Sequence, residues 1–392
     1  MRKIYIFNFN FYMHIVRFLI SFRIFAPMKR ITLLAITALA ALCMQASTTL
    51  PLKGTVVKPT DQNIQYVGRI CFDNPERPRF TYPGTQIVTR FTGTSLKLVA
   101  KPRSGYYMAQ IDEGEPFKVS LMGQRDSVVT LATALPQGEH LCRLMYVIEG
   151  YELKPSFWGF VLDEGAHLLP PPALPERMIE FIGNSITCGY GNESTVASNP
   201  FEYETENHYF TYAQLTTRAL QAQAYVVARS GIGVYRSYGG PKEGTPENVM
   251  TTEYEYTNLY DHSERWDFNR YQPQLVCINL GTNDLSTNNY DVTLLKAAYK
   301  KFLKQVRQHN PNAKIVFLCG SMLNGKELEI AKRVMNEVVD EAHQKGDNEV
   351  YRFDFTPQTG SLGFGASWHP SLLQHQKMAE ELTPFLRQLM GW

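Results

Sequence analysis

The stretch IEFIGNSITCGYG, residues 179–191, decides how the second half of this chain folds. Its apolar run, which begins at Met178, stops at Gly183 and is followed by Asn184 and Ser185. A strand that turns tightly into a helix would hold Ser185 clear of the sheet, with its backbone N–H at a helix N-terminus, where negative charge is favoured. The stretch therefore indicates a serine nucleophile, although a serine after glycine is often only an N-cap.

Apolar runs alternate with helical patterns after Arg177. The runs are MIEFIG, AQAYVVARSG, QLVCINLG, AKIVFLCG and VYRFDF, and the helical patterns lie at 208–221, 292–309, 326–344 and 372–390. Continuous apolar strands joined by crossover helices predict a parallel five-stranded sheet covered on both faces, a three-layer α/β/α domain over residues 178–392. Sites in such sheets gather at the carboxyl ends of the strands.

The part of the chain before Arg177 has a strand-like sequence pattern without helical segments. From about Gln62 to Leu169, short segments rich in β-branched and aromatic residues are separated by Gly and Pro, which predicts an all-β sandwich of jelly-roll type over residues 47–166. The segment HLLPPPALPER, residues 167–177, is too rich in proline for helix or sheet interior, so we expect it to link the two domains.

The N-terminal residues have the pattern of a targeting segment. Lys29 and Arg30 follow Met28, an apolar core runs to Leu42, and small residues follow up to Ala46. We interpret residues 1–46 as a signal-peptide region, with 1–27 an upstream start or, alternatively, a membrane segment, and expect a secreted or periplasmic protein. Cys43 leaves open an outer-membrane lipoprotein.

Composition excludes several classes of protein. The formal net charge of +2 over 392 residues offers no basic surface for nucleic acid. The nine histidines show no metal-ligand spacing, and neither a phosphate loop nor a dinucleotide fingerprint occurs, so we expect no metal and no cofactor. The cysteines contain no CxxC pair, but Cys71 and Cys142 fall in the same β-domain and could form a disulfide.

Two further segments carry candidate catalytic residues. In INLGTNDLS a strand ends at Gly281 and presents Asn283 and Asp284, whose side chains suit either an oxyanion donor or an ordinary Asx turn. In GASWHPSLLQHQ, His369 stands just before the proline that opens the last helix, where it could act as a general base or lie at the surface.

Together these segments resemble the SGNH, or GDSL-like, hydrolase family over about Met178–Trp392, with Gly231 of ARSGIGVYRS as a further match. The resemblance implies a flavodoxin-like sheet and an ester hydrolase. It also implies that Ser185 attacks the ester, His369 takes the proton, and the oxyanion hole comes from the N–H groups of Ser185 and Gly231 and from the side chain of Asn283.

Two positions depart from that family pattern. Asn184 replaces the usual aspartate before the nucleophile, and Ala366 stands where an acid usually orients the histidine. We therefore expect a Ser-His dyad, with a backbone carbonyl, or alternatively Ser367, fixing the tautomer of His369.

The β-domain ahead of the hydrolase domain narrows the resemblance to carbohydrate esterase family 2. That resemblance implies removal of O-acetyl groups from polysaccharides of the xylan and glucomannan type, with a preference for the 6-O position. The expected partner is an acetylated polysaccharide or oligosaccharide, with no nucleic acid and no stable membrane insertion after signal removal. Alternatives are an esterase acting on peptidoglycan or host glycans, and a carbohydrate-binding protein with a degenerate hydrolase domain.

Aromatic residues close in sequence to the site segments are candidates for stacking on a sugar ring, with packing between domains as the alternative. They are Trp368, Tyr190, Tyr235 and Trp266. The polar segment Pro241–Glu264 lacks a clear period, and we expect either a loop that shapes the cleft or ordinary surface.

Overall fold

An antiparallel sandwich is followed along the chain by a parallel sheet. The structure is a computed structural model and describes residues 52–125 and 127–392. The predicted signal region and Cys43 lie outside the described residues. Among the helices that are described, none is both long enough and apolar enough to cross a membrane.

The sandwich consists of two antiparallel sheets, ordered β1-β9-β4-β7 and β10-β3-β8-β5-β6, with β2 paired to β3. Its core lies between the sheets, where Phe91 and Leu144 of one meet Leu98 and Phe160 of the other. The strands are β1 (Thr55–Val57), β2 (Ile64–Val67), β3 (Gln86–Gly93), β4 (Leu96–Ala100), β5 (Gly105–Ile111), β6 (Phe117–Leu121), β7 (Val128–Ala132), β8 (Gly138–Tyr146), β9 (Phe157–Leu162) and β10 (Leu168–Leu169).

The start of the proline-rich segment is part of this sandwich. Leu168 is buried and Leu168–Leu169 pair with Phe91 and Arg90 of β3, so two residues of the predicted linker form an edge strand. The prolines follow directly after it, which fits their inability to donate to a sheet.

The second half contains a parallel five-stranded sheet in the order β12-β11-β15-β16-β17, together with the hairpin β13-β14. This is the predicted sheet, and its order is the flavodoxin-like one. Its strands are β11 (Met178–Gly183), β12 (Gln223–Ala228), β15 (Leu275–Asn279), β16 (Lys314–Cys319) and β17 (Val350–Asp354), and the hairpin strands are β13 (Tyr256–Asn258) and β14 (Asp261–Arg265).

Helices cover both faces of this sheet, which makes the three predicted layers. Ile182 packs in the core with α4 and α5, whereas Ile179 and Phe181 face the core with α2 and α6. The helices are α1 (Ser185–Cys188), α2 (Tyr212–Ala219), α3 (Met250–Glu253), α4 (Val292–His309), α5 (Gly325–Gln344) and α6 (Leu372–Met390).

Two segments differ from the prediction. The helix predicted over 208–221 is a 3₁₀ turn at His208–Phe210 followed by α2, because Thr211 is extended and caps the second helix. The segment Pro241–Glu264 is not simply a loop, since it contains α3 and most of the β13-β14 hairpin. Its helix and strands are too short for their polar and apolar residues to show a helical or strand period.

The two cysteines considered for a disulfide are not bonded to each other. Cys71 and Cys142 are buried free thiols, so the disulfide considered between them does not form. Burial raises the pKa of each thiol to about 12, which keeps both protonated and unreactive near neutral pH.

Candidate active site

Ser185 is the first residue of α1 and lies directly after β11. Glycine is required at Gly183, because a Cβ there would lie 2.0 Å from the Thr187 hydroxyl oxygen. Asn184 caps the helix, and its Oδ1 accepts the N–H of Ile186 at 3.0 Å. Since the first N–H groups of a helix have no acceptor within it, the Ser185 N–H is available to a ligand.

His369 meets this serine from the loop before α6. Its Nε2 lies 2.9 Å from Ser185 Oγ, although 184 residues separate them in sequence. Its Nδ1 lies 3.1 Å from each of the carbonyl oxygens of Ala366 and Ser367. Two acceptors at Nδ1 place the ring proton there, which leaves Nε2 free to accept the serine's hydrogen.

The turn before His369 is what aims these carbonyls. Ser367 and Trp368 both have left-handed backbone, with φ of 48° and 58°, a strained conformation for residues other than glycine. Ala366 is fully buried and donates its N–H to the Gly191 carbonyl at 2.9 Å. The position of the usual acid is thus filled by a residue that contributes only its backbone.

The surroundings of His369 hold it in the basic form. Burial lowers the pKa of the imidazole to about 4, and the hydrogen bonds to the Ala366 and Ser367 carbonyls only partly oppose this. The ring is therefore neutral at pH 7. Neutral imidazole is the form that a general base needs.

The loops after the two strands flanking β11 supply donors for an oxyanion. Gly231 follows β12 with a left-handed φ of 77°, and no acceptor for its N–H lies among the described residues. Asn283 follows β15, is buried, and donates one Nδ2 hydrogen to the Ile232 carbonyl at 2.8 Å. Because an amide has two hydrogens, one remains for a ligand.

Asp284 organises the loop that carries Gly231. Its buried carboxylate accepts the N–H groups of Val234, Tyr235 and Arg236 at 2.8–3.2 Å. Arg236 donates in return to the Asp284 carbonyl at 2.8 Å. In the sequence, Asp284 stood out only as the neighbour of Asn283. Its hydrogen bonds to a loop about fifty residues earlier could not be predicted, because no local sequence pattern indicates such a contact.

Two family profiles match consecutive parts of the chain. Carbohydrate esterase 2 N-terminal matches residues 66–172, and the GDSL-like Lipase/Acylhydrolase family matches residues 181–377, half of the chain. The chain belongs to carbohydrate esterase family 2. It is therefore a serine-type carboxylic ester hydrolase, as its sequence indicated.

Similar proteins agree with this assignment. The family two chain is 30% identical over 340 residues to an acetylxylan esterase / glucomannan deacetylase of Cellvibrio japonicus, covering 86% of this chain and 91% of that protein. It is 39% identical over 336 residues to the cellulase/esterase CelE of Acetivibrio thermocellus, covering 85% of this chain but only 40% of CelE. A family two carbohydrate esterase from Clostridium thermocellum in complex with cellohexaose superimposes with a TM-score of 0.77 at 39% identity, covering 84% and 99% of the two chains.

The candidate aromatic residues of this esterase divide into two groups. Tyr190 stacks on the His369 imidazole, with 4.1 Å between ring centroids, and Trp368 is 57% exposed beside the same histidine. Tyr238, which sequence reasoning missed, is 67% exposed, and its Cβ lies close to Gly231. An exposed aromatic side chain in a loop carries no sequence signal that distinguishes it from a buried one.

The other two candidates are not at the surface. Tyr235 is 7% exposed and its hydroxyl accepts the Asp291 N–H at the start of α4. Trp266 is 5% exposed, and the Arg69 guanidinium lies 5.4 Å from its ring centroid at the boundary with the sandwich. Their burial favours the alternative that the sequence left open, which is packing.

One group of potential metal ligands lies close together among the described residues of the esterase, Glu149, Cys188 and Glu206. Burial raises the pKa of the Cys188 thiol well above its usual range, which opposes the thiolate that a metal requires. Glu149 already accepts hydrogen bonds from Ser230. The donor set fits a hydrogen-bonded cluster better than a metal site.

Proposed function

We propose that this family two esterase removes O-acetyl groups from polysaccharides through a Ser185–His369 dyad. The observation that carries the proposal is the 2.9 Å hydrogen bond between Ser185 Oγ and His369 Nε2, with Nδ1 held by two carbonyls. A carbonyl pair supplies the orienting role that an aspartate has in a triad.

Acylation begins when His369 Nε2 takes the Ser185 proton as Oγ attacks the acetyl carbonyl carbon. The carbonyl oxygen becomes an oxyanion, which the N–H groups of Ser185 and Gly231 and the Asn283 amide stabilise. The imidazolium then gives its proton to the departing sugar oxygen. The ester bond breaks, the sugar hydroxyl leaves, and acetyl-Ser185 remains.

Deacylation repeats the sequence with water. His369 takes a proton from water, whose oxygen attacks the acetyl-Ser185 carbonyl, and the same donors receive the second oxyanion. The proton returns to Ser185 Oγ as acetic acid leaves, and the acid ionises to acetate in solution. No oxidant, reductant or cofactor is needed in either half of the reaction.

The proposed substrate is an acetylated polysaccharide of the xylan or glucomannan type, with the 6-O acetyl group preferred. The support is the likeness to the acetylxylan esterase / glucomannan deacetylase of Cellvibrio japonicus and to the cellohexaose complex. Trp368 and Tyr238, exposed beside His369 and Gly231, provide aromatic faces suited to sugar rings.

We further propose that the protein acts in the periplasm or outside the cell. The support is the signal-peptide pattern over Met28–Ala46, with anchoring through Cys43 as the alternative. On this proposal the mature chain begins near Ser47, and the hydrolase domain covers residues 178–392. The sandwich ends with β10 (Leu168–Leu169), and the linker follows over residues 170–177.

Acetate release tests the activity and the substrate together. Wild type and Ser185→Ala are compared on acetylated xylan, glucomannan, peptidoglycan and mucin. We expect release from xylan or glucomannan by wild type and none by Ser185→Ala, whose circular dichroism stays unchanged. Activity retained without the serine contradicts the mechanism, and preference for peptidoglycan or mucin contradicts the substrate. Sugar binding without turnover by wild type would favour a binding protein.

A further inference from the structure

A carboxylate of the sandwich domain contacts the oxyanion loop of the hydrolase domain. Glu149 lies just after β8, and its Oε1 accepts the backbone N–H of Ser230 at 2.6 Å. Its Oε2 accepts the Ser230 hydroxyl in a second short hydrogen bond. Ser230 immediately precedes Gly231, whose N–H is one of the proposed oxyanion donors.

This contact is buried and supported from a second direction. Glu149 is 3% exposed, and its own N–H donates to Glu206 Oε2 at 3.1 Å. Burial raises the pKa of both carboxyls, and the charge of Glu149 raises that of Glu206 further. The hydrogen bonds from Ser230 oppose the rise in the pKa of Glu149.

Glu149 is suited to hold Ser230, because its two carboxyl oxygens accept two separate donors of that residue, the backbone N–H and the hydroxyl. Anchoring one residue by its backbone N–H and by its side chain leaves it little freedom to rotate. The peptide group between Ser230 and Gly231 carries the Gly231 N–H. Fixing Ser230 therefore restricts the direction in which the Gly231 N–H points. Oxyanion donors contribute most when they are fixed before the reaction.

We infer that Glu149 is a positioning residue for the oxyanion hole, through Ser230. The sandwich domain then completes the catalytic unit instead of only lining the cleft. This inference rests on the proposed function, because it assigns Gly231 to the oxyanion hole. We expect the contact to affect kcat, because it orients the Gly231 N–H, which is proposed to act on the transition state.

The test is Glu149→Gln in the full chain, which keeps the shape and replaces one of the two acceptor oxygens by an amide donor. We expect kcat for acetate release to fall roughly 10- to 100-fold with KM nearly unchanged, because losing an oxyanion donor outright costs about 10²- to 10³-fold. Ser230→Ala breaks one of the two hydrogen bonds from the other side, so we expect a smaller fall in kcat. The double variant should be no worse than Glu149→Gln alone, because both changes remove the same contact.

Glu180→Gln is the matched control. Glu180 is also a buried carboxylate at the boundary of the two domains, paired with Arg69 at 3.3 Å, but it does not contact the oxyanion loop. We expect this variant to lower Tm and to leave kcat per folded molecule within about twofold of wild type. A fall in kcat equal to that of Glu149→Gln would show general loosening of the interface and overturn the inference.

Amide hydrogen exchange gives a readout that does not depend on activity. The Ser230 N–H should exchange at least about tenfold faster in Glu149→Gln than in wild type, and equally in wild type and Glu180→Gln. Unchanged exchange, or a Glu149→Gln variant with lower Tm but wild-type kcat, would overturn the inference. Absence of acetate release by wild type would instead refute the proposed function.

Discussion

Tyr190 lies against the imidazole of His369, with 4.1 Å between ring centroids and 27° between ring planes. Phe201 packs on Tyr190 in turn at 4.5 Å. The Phe201 ring is tilted by 31° to the Tyr190 ring. The imidazole proposed as the general base is therefore packed against an aromatic cluster, which restricts its plane and excludes water from the face that Tyr190 covers.

This stack predicts a role for Tyr190 that differs from sugar contact. In Tyr190→Ala the imidazole loses its packed face and gains water, so kcat should fall about tenfold, in line with ~0.5–1.5 kcal/mol for an aromatic pair. The acid limb of the pH–rate profile should move upward from its wild-type position. Tyr190→Phe keeps the ring and should match wild type in both measurements. An equal loss in Tyr190→Phe would mean that the hydroxyl, not the stack, is what matters.

The pKa of His369, lowered to about 4 by burial, predicts activity in mildly acidic solution. A general base must be neutral, so kcat/KM should be constant above pH 5 and fall as pH drops through about 4. The measurement is kcat/KM on an acetylated sugar between pH 3.5 and 8. An acid limb near pH 6.5 would indicate a solvated histidine and contradict the buried dyad.

Three histidines with lowered pKa also predict acid instability. Burial lowers the pKa of His208 to about 4 and of His375 to about 3, as it does for His369. Between pH 6.5 and 4 each of these histidines binds a proton in the unfolded chain that it does not bind in the folded chain, so their contribution to the free energy of unfolding decreases with falling pH. The buried Glu149 and Glu206, whose pKa values are raised, contribute in the opposite direction. We expect Tm to be highest above pH 6.5 and to drop below it. A Tm that rises between pH 6.5 and 4 would contradict this.

Asn283→Ala should lower kcat about 10²- to 10³-fold, because it removes one oxyanion donor. It also leaves the Ile232 carbonyl without its donor, which costs roughly 1–3 kcal/mol of stability. Kinetics and Tm are therefore measured together. Asn283→Asp keeps the size but places an acceptor at the oxyanion, so it should be at least as slow. Near-normal kcat in either variant would remove Asn283 from the hole.

Ala366→Asp should not restore a triad. Ala366 is fully buried, and its Cβ packs against the backbone of Gly191. A Cβ built on Gly191 would lie only 2.4 Å from the Ala366 Cβ, so there is no space for a carboxylate. We expect a loss of stability of about 2–5 kcal/mol and no gain in kcat. Ala366→Ser, a smaller polar change, should be milder. An increase in kcat for Ala366→Asp would show that the carbonyls orient His369 poorly.

The regular elements were largely predictable because their signals are local. The helices Val292–His309 and Leu372–Met390 were predicted to the residue, since an apolar face and a capping residue, Asp291 or Ser371, lie within a few positions of each start. Strand Met178–Gly183 was marked by its apolar run, which only Glu180 interrupts. The split at Thr211 was missed although its capping signal is local, and the hairpin that begins at Tyr256 was missed because its segment has no clear period.

The site shows the same division. The motifs around Ser185, Asn283 and His369 were visible in sequence, and so was the absence of an acid at Ala366. The left-handed turn at Ser367 and Trp368, which directs two carbonyls to the imidazole, was not visible, because neither residue type favours that conformation. Nor was the burial of Tyr235 and Trp266, which depends on how the loops pack.

The sequence alone determined the order of the elements and the chemical types available at the sheet edge, because periodicity, caps and turn residues act over a few positions. Only the tertiary structure decided which of these groups meet. The parallel sheet brings together Ser185 and His369 across 184 residues, and domain packing joins Glu149 to Ser230 across 81. Such contacts depend on strand order and on interdomain packing, which no local pattern encodes.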